Sequence, residues 1–138
     1  MNHRLASLAC LGLLALGARA EEKPVRAAYY YTVRWGLQQE FERLFFKNHY
    51  PILKAQKERI LDVNVYRPTF HGDGRADWTF LVVITFANQA AFGATVDEDA
   101  IARKLYPDFD AYKKEEQRRF ELLSAHWDVP LTPITPPQ

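Results

Sequence analysis

Cysteine is all but missing: the 138 residues hold one, Cys10, close to the amino terminus. A disulfide needs a pair, so no internal crosslink staples this chain. Thiolate zinc, an iron–sulfur cluster and a cysteine nucleophile beyond residue 10 are excluded with it. Glycine is scarce as well, at six, and two of these, Gly12 and Gly17, lie in the first 20 residues. The rest build neither a phosphate-cradling loop nor a dinucleotide fingerprint, and no Ser-His-Asp signature appears. Charge of one sign is also lacking, with 18 basic against 17 acidic side chains. Nothing here supplies the basic stripe that displaces counterions from nucleic acid or holds an anionic membrane surface, so no nucleic-acid partner is expected.

What is present begins with a leader. His3 and Arg4 precede an apolar run from Leu5 through Leu16, and Ala18-Arg19-Ala20 follows with small residues at both recognition positions of a signal peptidase site. The pattern predicts a signal peptide over residues 1–20, cleavage after Ala20 and a periplasmic or secreted protein. The run is shorter than the roughly 20 residues a bilayer span takes, so no stable membrane insertion is expected. Ser7-Leu8-Ala9 is a poor lipobox before Cys10, which disfavours a lipoprotein. With Arg4 and Arg19 removed from the 18 basic residues, the 17 acidic ones leave a net charge of −1.

Periodicity then changes along the chain. Arg26 to Trp35, RAAYYYTVRW, is aromatic and β-branched and stops at Gly36, which predicts a strand. From Leu37 to Lys57, Phe41, Leu44, Phe45, His49, Ile52, Leu53 and Gln56 recur at three- and four-residue spacing on one stripe of a helix. Pro51 lacks a backbone donor and predicts a kink or break there. Ile60 to Phe70 and Trp78 to Phe86 read as antiparallel strands joined by HGDGRAD, whose glycines and aspartates supply turn chemistry. Asn88 offers a helix cap. Asp97 to Leu123 is helical, broken at Tyr106-Pro107 with Asp108 capping the second piece. Its charge run KKEEQRRFE reads as a solvated face, with Glu115 and Arg119 at i,i+4 spacing and Phe109, Tyr112, Phe120 and Leu123 as the buried side. Ala125 to Leu131 alternates as a last edge strand, and residues 132–138 form a proline-rich extended tail.

The order β, α, β, β, α, β within residues 21–131 is the split βαβ layout: an α+β, ferredoxin-like domain with a four-stranded antiparallel sheet. Alternation places Tyr29, Tyr31, Val33, Trp35, Leu61, Val63, Val65, Trp78, Phe80, Val82, Ile84 and Phe86 on one apolar face, which helices should cover. The other face is mixed, with Tyr30, Thr32, Arg34, Asp62, Asn64, Tyr66, Thr79, Leu81, Val83, Thr85, His126 and Asp128. Its apolar members are awkward in water, and Asp62 and Asn64 are awkward in a sealed core. A homodimer packed sheet to sheet satisfies both, with Arg34 and Asp62 as an ion pair that fixes register.

The helix FERLFFKNHYPILK with its His49-Tyr50-Pro51, the passage TFLVVITFANQAAFGA and this element order together resemble the dimeric α+β barrel superfamily, and within it the EthD-like branch. The resemblance implies ferredoxin-like chains that dimerise through their sheets, a pocket between helices and sheet, and His49 as the counterpart of the motif histidine. It implies no single chemistry, since such folds carry cofactor-free oxygenases, cyclases or dehydratases, isomerases and haem-handling proteins.

His49 is accordingly the candidate catalytic residue, an imidazole on a buried stripe that can exchange a proton with a bound molecule. The plainer reading is a core histidine satisfied at the Pro51 break. Tyr29, Tyr31, Trp35 and Trp78 are candidates for an aromatic box opposite it, and Arg67 for holding a carboxylate or enolate. His126 and Asp128 are two apart on a strand but lack a third ligand, and His71, Asp73 and Asp77 fit a turn better than a calcium loop, so no metal is expected. Three functions remain open: an exported binder of a compact hydrophobic or aromatic molecule, acting without a cofactor as oxygenase, cyclase or isomerase through His49; a non-catalytic binding or accessory protein with His49 structural; and a haem binder with His49 or His126 as axial ligand.

Overall fold

The aromatic run after Pro24 becomes the strand on which the rest is assembled. In the computed structural model, which describes residues 22–69, 78–134 and 136, β1 (Val25–Val33) pairs antiparallel with β3 (Phe80–Phe86) on one side and β4 (Leu123–Leu131) on the other. β2 (Ile60–Tyr66) pairs antiparallel with β3, giving the order β2-β3-β1-β4. This is the four-stranded antiparallel sheet of a ferredoxin-like α+β fold. The leader, the HGDGRAD turn and the end of the tail lie outside the described residues.

Gly36, at φ +81, turns the chain out of β1 in the left-handed region that side chains resist, and the helical layer begins. α1 (Gln38–Leu44) runs through a π-helical turn, Phe45–His49, into α2 (Tyr50–Ala55). After β3 come α3 (Gln89–Gly93), α4 (Glu98–Leu105) and α5 (Phe109–Glu121). The expected caps are in place: the side chains of Asn88 and Asp108 accept from the backbone N–H of Ala91 and Ala111, at 2.7 and 2.9 Å.

The helices cover the face that carries Ala27, Tyr31 and Val33 of β1, Val63 of β2, and Phe80, Val82, Ile84 and Phe86 of β3, packed against Phe41, Leu44, Phe45 and Leu53. Fully burying one such side chain contributes roughly 1.5–3 kcal/mol, so this face decides where the helices sit. A smaller cluster of Ile52, Ala102 and Tyr112 joins α2, α4 and α5.

Several positions depart from simple alternation. Partners in an antiparallel pair share a face, and Tyr31 pairs with His126 and Tyr29 with Asp128, so His126 and Asp128 lie on the helix side rather than on the open one. Trp127, opposite Tyr30, stands on the open face in their place. Trp78 precedes β3 and packs edge-on against Tyr30 at 6.0 Å, which puts it with the open-face aromatics. Leu61 is exposed because a bulge between Ile60 and Asp62 turns it out. Asp62 accepts from Asn64 rather than pairing with Arg34, since β3 separates β1 from β2.

Candidate functional site

Pro51 does not break its helix; the turn before it widens instead. The N–H of Tyr50 reaches back five residues to the Phe45 carbonyl, and Pro51, without an N–H, leaves the Lys47 carbonyl four residues back without its helical donor. The Tyr106 hydroxyl, 2.9 Å from that oxygen and 2.8 Å from the Asn48 oxygen, supplies the missing hydrogen. The extra residue in the turn offsets the inward stripe, so Asn48 is buried beside Phe45, Ile52 and Leu53 while the His49 side chain stays 17% exposed.

His49 faces α5. Its Nδ1 lies 3.6 Å from a carboxylate oxygen of Glu116, beyond hydrogen-bond distance, and its ring packs on Phe45 at 5.6 Å. Arg119, 1% exposed, donates from Nε and Nη2 to the two oxygens of Glu116 at 3.0 and 2.8 Å. Its guanidinium sits over the Phe120 ring at 4.4 Å, which leaves Phe120 exposed and Arg119 inside. Thus the α5 face expected to be solvated contains a buried ion pair, and Arg119 pairs with Glu116 rather than Glu115. Glu115 instead accepts from Lys47 and the Asn48 amide, which hold its carboxyl below the usual range.

Burial alone would push the Glu116 carboxyl up, but the His49 and Arg119 side chains facing it outweigh this and bring it down to about 2. Burial drives the Tyr31 hydroxyl far up, with the Arg119 charge opposing it, and burial with the Glu116 charge does the same to Tyr112. Among the described residues three buried side-chain polar atoms lack a protein partner: Asn48 Oδ1, His49 Nδ1 and Arg119 Nη1. All three belong to this contact between the π turn and α5.

A cleft lies elsewhere, at the β2 side of the same helix. It measures about 430 Å³ and is lined by Trp35, Gly36, Gln38, Glu42, Arg67, Pro68, Thr69 and Thr79, mostly through apolar atoms. An adjoining pocket of about 220 Å³ continues it past Glu42 and Arg67 to Phe46, Val65, Tyr66 and Phe80. The Arg67 guanidinium, 76% exposed, reaches Glu42 at 3.8 Å. Thr79 is pinned at the mouth, its Oγ accepting from the Val33 N–H at 2.8 Å.

No family model matches the chain, and neither does any curated protein sequence. Solved structures do. A dabb family protein with a ferredoxin-like fold from Mesorhizobium loti superposes with a TM-score of 0.53 at 18% identity, covering 81% of this chain and 98% of that one. A protein of Arabidopsis thaliana gives 0.53 at 15% identity, over 87% and 97%. A candidate antibiotic biosynthesis monooxygenase from Bacteroides thetaiotaomicron gives 0.53 at 9% identity, over 83% and 92%. The chain has their ferredoxin-like fold.

Within that fold the predicted site residues separate. Trp35 and Arg67 share the 430 Å³ cleft, although Trp35 is 83% exposed rather than part of the apolar face. Tyr31 lies in the core against Phe41, Phe45 and Phe80, Tyr29 is half-buried against the same core, and Trp78 is on the open face. His49 lines neither pocket, so no box closes around it. Glu116 and Arg119 escaped the sequence reading, yet a signal was there. Phe109, Tyr112, Glu116, Arg119 and Leu123 follow a three-four spacing, which puts two charged residues on an apolar helical stripe.

His126 is the other histidine among the described residues. His126 donates from Nδ1 to the Tyr30 carbonyl at 2.9 Å, its Nε2 lies 3.3 Å from Asp128, and its ring stacks on Tyr31 at 4.2 Å. A carbonyl only accepts, so in the neutral ring the hydrogen is on Nδ1 and Nε2 keeps its lone pair. Among the described residues no group of three or more His, Cys, Asp or Glu is placed to hold a metal ion.

Proposed function

We propose that this chain is an exported, sheet-paired dimeric α+β barrel protein that binds a compact aromatic acid in the cleft under Trp35 and Arg67. The cleft carries the reading. Its volume of about 430 Å³ is that of a small-molecule site, its walls are largely apolar, and one indole and one guanidinium stand at its rim. A ring can stack on the indole while its carboxylate takes two parallel N–H bonds from Arg67, displacing the long contact to Glu42. Export rests on residues 1–20, which read as a signal peptide, and the EthD-like placement on His49-Tyr50-Pro51. No described helix is long and apolar enough to cross a membrane. Pairing through the sheet is supported by the open face, where Tyr30 stacks on Trp127 at 5.2 Å and Tyr66, Val129 and Leu131 are exposed.

Calorimetry with benzoate, phenylacetate and indole-3-acetate tests the binding. Saturable heat is expected for at least one, weakened tenfold or more in Trp35→Ala and Arg67→Ala; no heat with any of them, or heat indifferent to both substitutions, would overturn it. Fractionation followed by amino-terminal sequencing should find Glu21 first.

A second reading has its own support, namely the buried Glu116 and Arg119 pair beside His49. In it a molecule meets the exposed edge of His49 rather than the cleft under Trp35, and His49 transfers a proton to or from it in a rearrangement without a cofactor. Retained turnover in His49→Ala would remove this reading.

A further inference from the structure

We propose that Glu116, clamped by Arg119, holds neutral His49 in the tautomer with its hydrogen on Nδ1, so that Nε2 is the nitrogen that accepts a proton from an acidic O–H or C–H group. The proposal rests on the second reading above, in which His49 transfers a proton, and it adds a positioning residue and the working atom.

The geometry carries it. Nδ1 is the sealed nitrogen of the ring, buried and without a hydrogen-bond partner, so the 17% exposure of the side chain belongs to the rest of the imidazole. The group facing Nδ1 is a carboxylate oxygen at 3.6 Å, and a carboxylate only accepts. A hydrogen on Nδ1 is attracted to that oxygen, whereas a lone pair there would confront a negative charge in a place water does not reach. The carboxylate stays ionised, because Arg119 donates to both of its oxygens from a fully buried position. It also cannot swing away. The same oxygen that faces His49 is held by Arg119 Nη2 at 2.8 Å, and Phe45 packs on the imidazole at 5.6 Å. Glu116 thus acts through His49, and neither residue lines the cleft under Trp35 and Arg67.

Long-range nitrogen–proton NMR of the chain at about pH 8.5, well above the ordinary imidazole value of about 6.5, reads the tautomer directly. His49 is assigned by its loss in His49→Ala. The expected spectrum shows a pyrrole-like Nδ1 and a pyridine-like Nε2. In Glu116→Gln, whose amide can donate as well as accept, the two nitrogens should shift toward averaged or exchanged positions, while circular dichroism confirms the fold. Should that variant fail to fold, Glu116→Gln combined with Arg119→Met, which leaves no buried charge, takes its place. A wild-type hydrogen on Nε2, or an Nδ1–H tautomer unweakened in the variant, would overturn the proposal. Retained turnover in His49→Ala removes the proton-transfer reading but leaves the tautomer result standing, so the two failures are separable.

Discussion

Arg119 lies on α5 with its guanidinium sealed inside the protein, and both of its short contacts run to Glu116, one helical turn earlier. Two charges taken out of water together tolerate each other far better than either tolerates isolation. Arg119→Ala should therefore destabilise the fold by about 3–5 kcal/mol in urea unfolding, while Glu116→Leu with Arg119→Met should lose much less. Equal losses in the single and double variants would show that packing, not charge pairing, holds this corner.

Acid should expose the same pair. The folded Glu116 carboxyl titrates at about 2 against its ordinary 4.5, so the unfolded chain takes up the proton first. The stability this contributes is complete above about pH 4.5 and is lost as pH falls through about 2, an amount on the order of 3 kcal/mol. Unfolding free energy measured between these values should have a shallower slope in the Glu116→Leu, Arg119→Met variant. An unchanged slope would assign the acid sensitivity to other carboxylates.

Tyr106 and Pro51 should be coupled. The hydroxyl serves a carbonyl that the proline leaves open, and such a hydrogen bond contributes about 0.5–1.5 kcal/mol net. Tyr106→Phe should lose about that much in the natural background and less when Pro51→Ala restores a backbone donor. A double-mutant cycle showing simple additivity would rule out this compensation.

The open face should govern association. Val83 sits there at mid-sheet, paired with Ala28 and Asn64, so a carboxylate at this position is hostile to any sheet packed on it. Sedimentation should find a dimer for the natural chain at micromolar concentration and a monomer for Val83→Glu with unchanged circular dichroism. A dimer in both would move the interface elsewhere.

Much of the fold was legible because two periods are written plainly. Tyr29, Tyr31 and Val33 alternate against Phe80, Val82 and Ile84, and Phe41, Leu44 and Phe45 recur every three or four residues, so strand, helix and covered face follow from side chains alone. The candidate site was less legible. Trp35 and Arg67 were singled out and do share a cleft, but their expected companions Tyr29, Tyr31 and Trp78 are placed in the core, at its edge and on the open face. His49 was singled out while its partner Glu116 was assigned to water, because an exposed and a buried carboxylate look alike in a charged run.

The sequence by itself determined the order of elements, the caps at Asn88 and Asp108, the lack of any disulfide and the face the helices cover. These depend on neighbours a few residues apart or on composition. Tertiary structure decided what depends on contacts between distant segments. The β1–β4 register carried His126 to the helix side, and a hydroxyl 59 residues from Lys47 let a proline stay in its helix. The meeting of the π turn with α5 drew Glu116 and Arg119 inside, where each charge is tolerated only because the other is present.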